Sequence, residues 1–136
     1  MTRLFCLALM LFGLGACGEN DTPTLTAVLP TANCGEIVLG GDPPRATNKE
    51  AARTASSCFA QAFQNCALTA LTIQEPNNVT RQFSIARNGA TCALRQAFQA
   101  DANSPPAVVD CKTARFENNT LVIEGCSHLG DFILTP

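Results

Sequence analysis

The stretch from Val79 to Phe98, VTRQFSIARNGATCALRQAF, decides the fold. Phe83 and Ile85 before Asn88-Gly89, and Leu94 and Phe98 after it, alternate with polar neighbours at the period of two that a half-buried strand requires. Asn and Gly both accept positive φ, so Asn88-Gly89 predicts a two-residue hairpin turn. With Arg87 opposite Ala90, Cys92 falls opposite Ile85, Leu94 opposite Phe83, Gln96 opposite Arg81 and Phe98 opposite Val79. The apolar residues then share one face, which must be covered by something.

The covering element is upstream. Asn48 to about Cys66 is Ala-rich and free of Gly and Pro, and Ala55, Cys58, Phe59, Ala62, Phe63 and Cys66 recur at helical spacing. Thr47 and Glu50 have the spacing of a capping box and predict the helix start. Before it, Cys34 to Leu39 reads as a strand stopped by Gly40-Gly41-Asp42-Pro43-Pro44, and Leu68 to Gln74 as another ended by a turn at Glu75-Pro76-Asn77-Asn78. Beyond the Asp101–Pro106 loop, Ala107 to Phe116 and Thr120 to Cys126 form a second hairpin about Asn118-Asn119, pairing Phe116 with Leu121, Ala114 with Ile123 and Cys111 with Cys126. Phe132-Ile133-Leu134 closes the sheet as an edge strand. The expected fold is α+β: one helix packed on an antiparallel sheet of four to six strands, stapled by disulfides. This element order is similar to that of the cystatin-like fold, a likeness of topology over roughly Cys34 to Leu134. The Gln-x-Val-x-Gly loop of those inhibitors is missing, so protease inhibition is not implied.

Eight cysteines in 136 residues point to an oxidising compartment. Cys34, Cys58, Cys66, Cys92, Cys111 and Cys126 show no Cys-x-x-Cys spacing, which disfavours a redox pair or zinc and favours structural disulfides. The hairpin register predicts Cys111–Cys126. Cys34–Cys58 and Cys66–Cys92 are expected because Cys58 and Cys66 share the helix face that packs on the first strand and the sheet. No metal or cofactor is expected.

Arg3 followed by the apolar run Leu4 to Gly15 has the layout of an export signal and is too short to span a membrane. Leu14-Gly15-Ala16-Cys17 resembles the lipobox of bacterial lipoproteins. The resemblance implies cleavage before Cys17, diacylglycerol on its thiol, and anchoring to a membrane without a spanning helix. Gly18 after Cys17 implies an outer-membrane address in a two-membrane cell and the outer face of the cell membrane otherwise. The chain thus divides into a signal peptide (1–16), a lipid anchor and tether (17–33) and one disulfide-stabilised α+β domain (34–136). The segment from Gly18 to Asn33 reads either as a flexible tether, which would span about 20–24 Å root-mean-square, or as an edge strand docked through Leu25, Val28 and Leu29.

A net charge of −2 offers no basic field for nucleic acid. The one histidine, His128, adjoins Ser127 in a turn where the two cannot readily act as nucleophile and base, and no nucleophile elbow or phosphate loop occurs, so no catalytic residues are assigned and an enzyme is disfavoured. Asn78 and Asn118 head glycosylation sequons, better read as turn residues behind a lipobox. Arg81 and Gln96 are the candidate ligand-facing residues, since polar groups on an apolar face need partners; they line a small pocket, joined by Asp110 and Lys112, or stand at an exposed rim. The expected role is a lipid-anchored, extracytoplasmic cell-envelope module that binds a small molecule or protein or serves structurally. The alternatives are a small extracytoplasmic hydrolase and a secreted binding domain without lipid.

Overall fold

The computed structural model describes residues 32–136. The signal peptide, Cys17 and most of the tether lie outside the described residues. The first strand, β1, spans Ala32–Gly40, so the last two residues assigned to the tether belong to it. Next come a two-residue strand β2 (Arg45–Ala46), the helix α1 (Lys49–Gln64) and β3 (Thr69–Gln74). They are followed by β4 (Thr80–Asn88), β5 (Thr91–Gln99), β6 (Ala107–Cys111), β7 (Thr113–Glu117), β8 (Thr120–Glu124) and β9 (Phe132–Leu134).

The fold is α+β, but the strands form two sheets rather than one: a six-stranded sheet in the order β2-β1-β3-β4-β5-β6 and a three-stranded sheet β7-β8-β9. The larger sheet is also not wholly antiparallel. β1 and β3 run parallel, from Ala32 beside Thr69 to Val38 beside Gln74. Two parallel neighbours cannot be joined by a hairpin, and α1 supplies the crossover. Its N-cap is Asn48, whose Oδ1 accepts from the Ala51 amide at 3.1 Å. Thr47, expected to cap, instead donates its hydroxyl to the Val38 carbonyl and fastens the helix start to β1.

The β4–β5 turn is Gly89-Ala90, with Asn88 paired to Thr91. Gly89 has φ 61° while Ala90 stays at negative φ, the arrangement of a turn with Gly at its first central position. Asn88 therefore extends the strand, and the register moves by one residue on each side, setting Ile85 opposite Leu94, Phe83 opposite Gln96 and Arg81 opposite Phe98. Because the shift is symmetric, every side chain keeps its face.

The expected strand from Ala107 to Phe116 is broken at Lys112. Its inward-facing residues switch from Val109 to Ala114, an odd-to-even change that a continuous strand cannot make. The chain leaves β5 after Cys111, the Lys112 amide donates to the Glu124 carbonyl, and the new hairpin follows the expected register through Ala114–Ile123 and Phe116–Leu121. Asp110 thereby faces outward, where it pairs with Arg95 at 3.2 Å, and Lys112 is exposed against Gly125.

Helix and small sheet cover the same face of the large sheet. Phe83 at its centre meets Phe59 of α1 at 6.3 Å between ring centroids and Phe132 of β9 at 5.2 Å. Ala52, Ala55, Phe59 and Ala60 form the buried side of the helix; Cys58 is turned to the surface, where it reaches β1. Disulfides join Cys34 to Cys58, Cys66 to Cys92 and Cys111 to Cys126. β1 carries a bulge between Asn33 and Glu36, with Gly35 at φ 104°, and β2 pairs only with its last two residues.

Candidate functional site

One row of paired residues crosses the large sheet through Ala32, Thr69, Ile85, Leu94 and Cys111, and another through Val38, Gln74, Thr80 and Gln99. Cys34, Cys66, Cys92 and Cys111 all lie near the first row. At the second row opens a cleft of about 750 Å³, walled by the β1–β2 loop, the start of α1 and β9. This volume lies within the range of small-molecule sites.

The floor of the cleft is Arg81. The turn at Pro76–Asn78 uses positive φ at Asn77 and Asn78, and its closing bond runs from the Glu75 amide to the Val79 carbonyl at 2.8 Å. That reversal brings Glu75 back beside Arg81, whose Nε donates to Oε1 at 2.5 Å; both side chains are 21% exposed. The guanidinium carbon lies 4.7 Å from the centroid of Phe98, its neighbour across the ladder, and 5.6 Å from that of Phe132. A cation held over two rings and paired at one edge has little rotational freedom left.

Arg45 and Lys49 stand at the mouth, and neither has an ion-pair partner among the described residues. Asp131 lines the opposite side, its Oδ1 accepting from the Gly125 amide at 2.9 Å. The lining side chains carry three cations against two carboxylates, set among Leu39, Phe132 and Leu134, with Pro136 on the same wall.

Gln96 is not part of this cleft. It is fully buried beside Phe83, and neither of its amide atoms meets a hydrogen-bond partner. The corrected register separates it from Arg81 by placing Phe98 opposite the arginine, and Asp110 and Lys112 lie elsewhere on the surface. His128 is exposed on a short 3-10 turn, Ser127–Leu129. Sequence reasoning found Arg81 but read Glu75 only as a turn residue and passed over Arg45, Lys49 and Asp131. The usable signal was local: Glu75 and Arg81 flank a tight turn, so opposite charges must meet there.

A second charge cluster lies on the outer face of the small sheet. Arg115 binds Glu124 through both terminal nitrogens and Glu117 through Nε at 2.6 Å. The hydrogen bonds from Arg115 hold the Glu124 carboxyl below its usual range. All three groups are solvated and already mutually satisfied.

No family model, curated protein or solved structure matches this chain.

Proposed function

We propose that this protein is an exported, lipid-anchored module of the cell envelope that acts by binding. The observation that carries the reading is Leu14-Gly15-Ala16-Cys17 behind Arg3 and an apolar run. Cys17 is the lipid-bearing residue, and the signal peptide ends at Ala16. The three disulfides support an oxidising, extracytoplasmic compartment, and they engage every cysteine after Cys17. A cleft with an apolar wall and a few converging charges supports binding as the mode of action. The tether enters β1 at Ala32, and nine extended residues carry the chain about 27 Å to the other end. The cleft lies toward the last residues of β1, away from Ala32 where the described chain begins.

Growth with an alkyne-tagged fatty acid, followed by capture of the labelled protein and intact-mass analysis, tests the anchor. The parent is expected to carry label at Cys17 and to sediment with membranes, whereas Cys17→Ser is expected to lose the label and become soluble. An unmodified mature N-terminus at any other residue overturns the reading.

A further inference from the structure

We infer that the cleft binds a small organic acid, with its carboxylate on the outer fork of Arg81 and its hydrocarbon part against Phe132 and Leu39. The inference rests on the reading of the domain as a binding module and is independent of the anchor.

The carrying observation is how Arg81 is held. Its Nε edge is occupied by Glu75 and its plane is covered by Phe98 and Phe132, while its two terminal nitrogens have no hydrogen-bond partner among the described residues and are not sealed from the cleft. A guanidinium presents donors in a rigid fork that matches a carboxylate in two parallel bonds. Here the fork is oriented before any ligand arrives, so little side-chain entropy remains to be lost on binding.

Charge selects the sign of the ligand. Glu75 is matched by Arg81, and the two cations at the mouth, Arg45 and Lys49, stand against one remaining side-chain carboxylate, Asp131. An incoming anion passes between them to a floor that is four-fifths buried, where a charge-assisted hydrogen bond is worth more than at an open surface. An organic cation meets the same groups as repulsion, and a neutral alcohol leaves the fork unfilled. The apolar wall of Leu39, Phe132 and Leu134 adds affinity for the hydrocarbon part.

The test uses the full chain carrying Cys17→Ser, titrated with hexanoate, hexanol and hexylammonium and followed by NMR. Hexanoate is expected to shift the Arg81 Nε–H signal and the ring signals of Phe98 and Phe132 saturably, hexanol to bind at least about tenfold more weakly, and hexylammonium to leave those signals unmoved. Replacing Arg81 and Glu75 together by Gln, so that neither charge is stranded, is expected to weaken hexanoate at least about tenfold. Should that pair fail to fold, Arg81→Lys keeps the charge but removes the fork, with an expected loss of about fivefold. Arg45→Gln with Lys49→Gln is expected to cost about threefold. Equal binding of hexanoate and hexanol, or hexanoate binding untouched by loss of the fork, overturns the inference. Saturable shifts confined to another surface overturn the cleft while leaving a binding module; no shift anywhere overturns both.

Discussion

The two ends of the large sheet are held by different means. At the end where β1 begins, covalent links tie the helix to β1, the residue after the helix C-cap to the β4–β5 hairpin, and β6 to the segment after β8. At the other end the described residues carry no disulfide, and the contacts are non-covalent, among them one ion pair, two cation–ring contacts and the packing of a three-residue strand. A disulfide acts mainly by restricting the unfolded chain. Non-covalent contacts act only in the folded state and can be exchanged for contacts to a ligand. The difference teaches that the covalent cross-links are concentrated away from the cleft, whose end is held by contacts that can rearrange.

The contrast can be broken by comparing the two ends directly. Replacing Cys34 and Cys58 by Ala is expected to lower the unfolding free energy by about 3 kcal/mol, whereas Glu75→Gln with Arg81→Gln is expected to change it by less than about 1 kcal/mol, since a partly buried ion pair contributes little beyond its desolvation cost. Chemical denaturation of both variants measures this, and a larger loss at the cleft end would refute the contrast. Hydrogen exchange sharpens it: amides of β9 are expected to exchange at least about tenfold faster than those of β3 and β4 at the sheet centre, because few contacts resist local opening there.

A smaller effect concerns Gln96, which belongs to neither end. With both amide atoms unpartnered in a fully buried site, Gln96→Leu is expected to raise stability by about 1 kcal/mol, read as an upward shift in Tm. The smallest effect is the pH response. Asp101 is lowered by the Asn103 amide and the Ser104 side chain, and Glu124 by Arg115. Carboxyls depressed in the folded state bind fewer protons there than in the unfolded chain, so their contribution is present above the ordinary carboxylate range and is lost as pH falls below about 4. A denaturation series across that range is expected to show a shallow loss, reduced in Glu124→Gln.

The alternation from Val79 to Phe98 disclosed the central hairpin and its faces, because burial on one side writes itself into the sequence at period two. Its register was less legible. Gly89 suits the first or the second central position of a two-residue turn, and because both registers keep every side chain on its face, the apolar pattern does not decide between them. The break at Lys112 was visible as a parity change between Val109 and Ala114 but was hidden by reading ten residues as one strand. The parallel β1–β3 pair was missed: the expected sheet was antiparallel throughout, although a strand, a helix and a second strand are also the layout of a crossover. The cleft was the least legible feature. Arg45, Lys49, Arg81 and Asp131 come from four separate segments, and no local pattern records that the topology brings them to one end.

The bulge at Gly35 has a bearing on how copies of this chain meet one another. On the lipid anchor proposed above, copies would meet by lateral diffusion in two dimensions, where collisions are frequent and similarly oriented. Among the described residues the outer edge of β1 is unpaired through most of its length, and a straight edge of that kind templates the addition of another strand. Gly35 at φ 104° interrupts the row of donors and acceptors, and the exposed charge of Glu36 follows at once. The bulge thus works against strand addition between copies by breaking the described edge into two short runs.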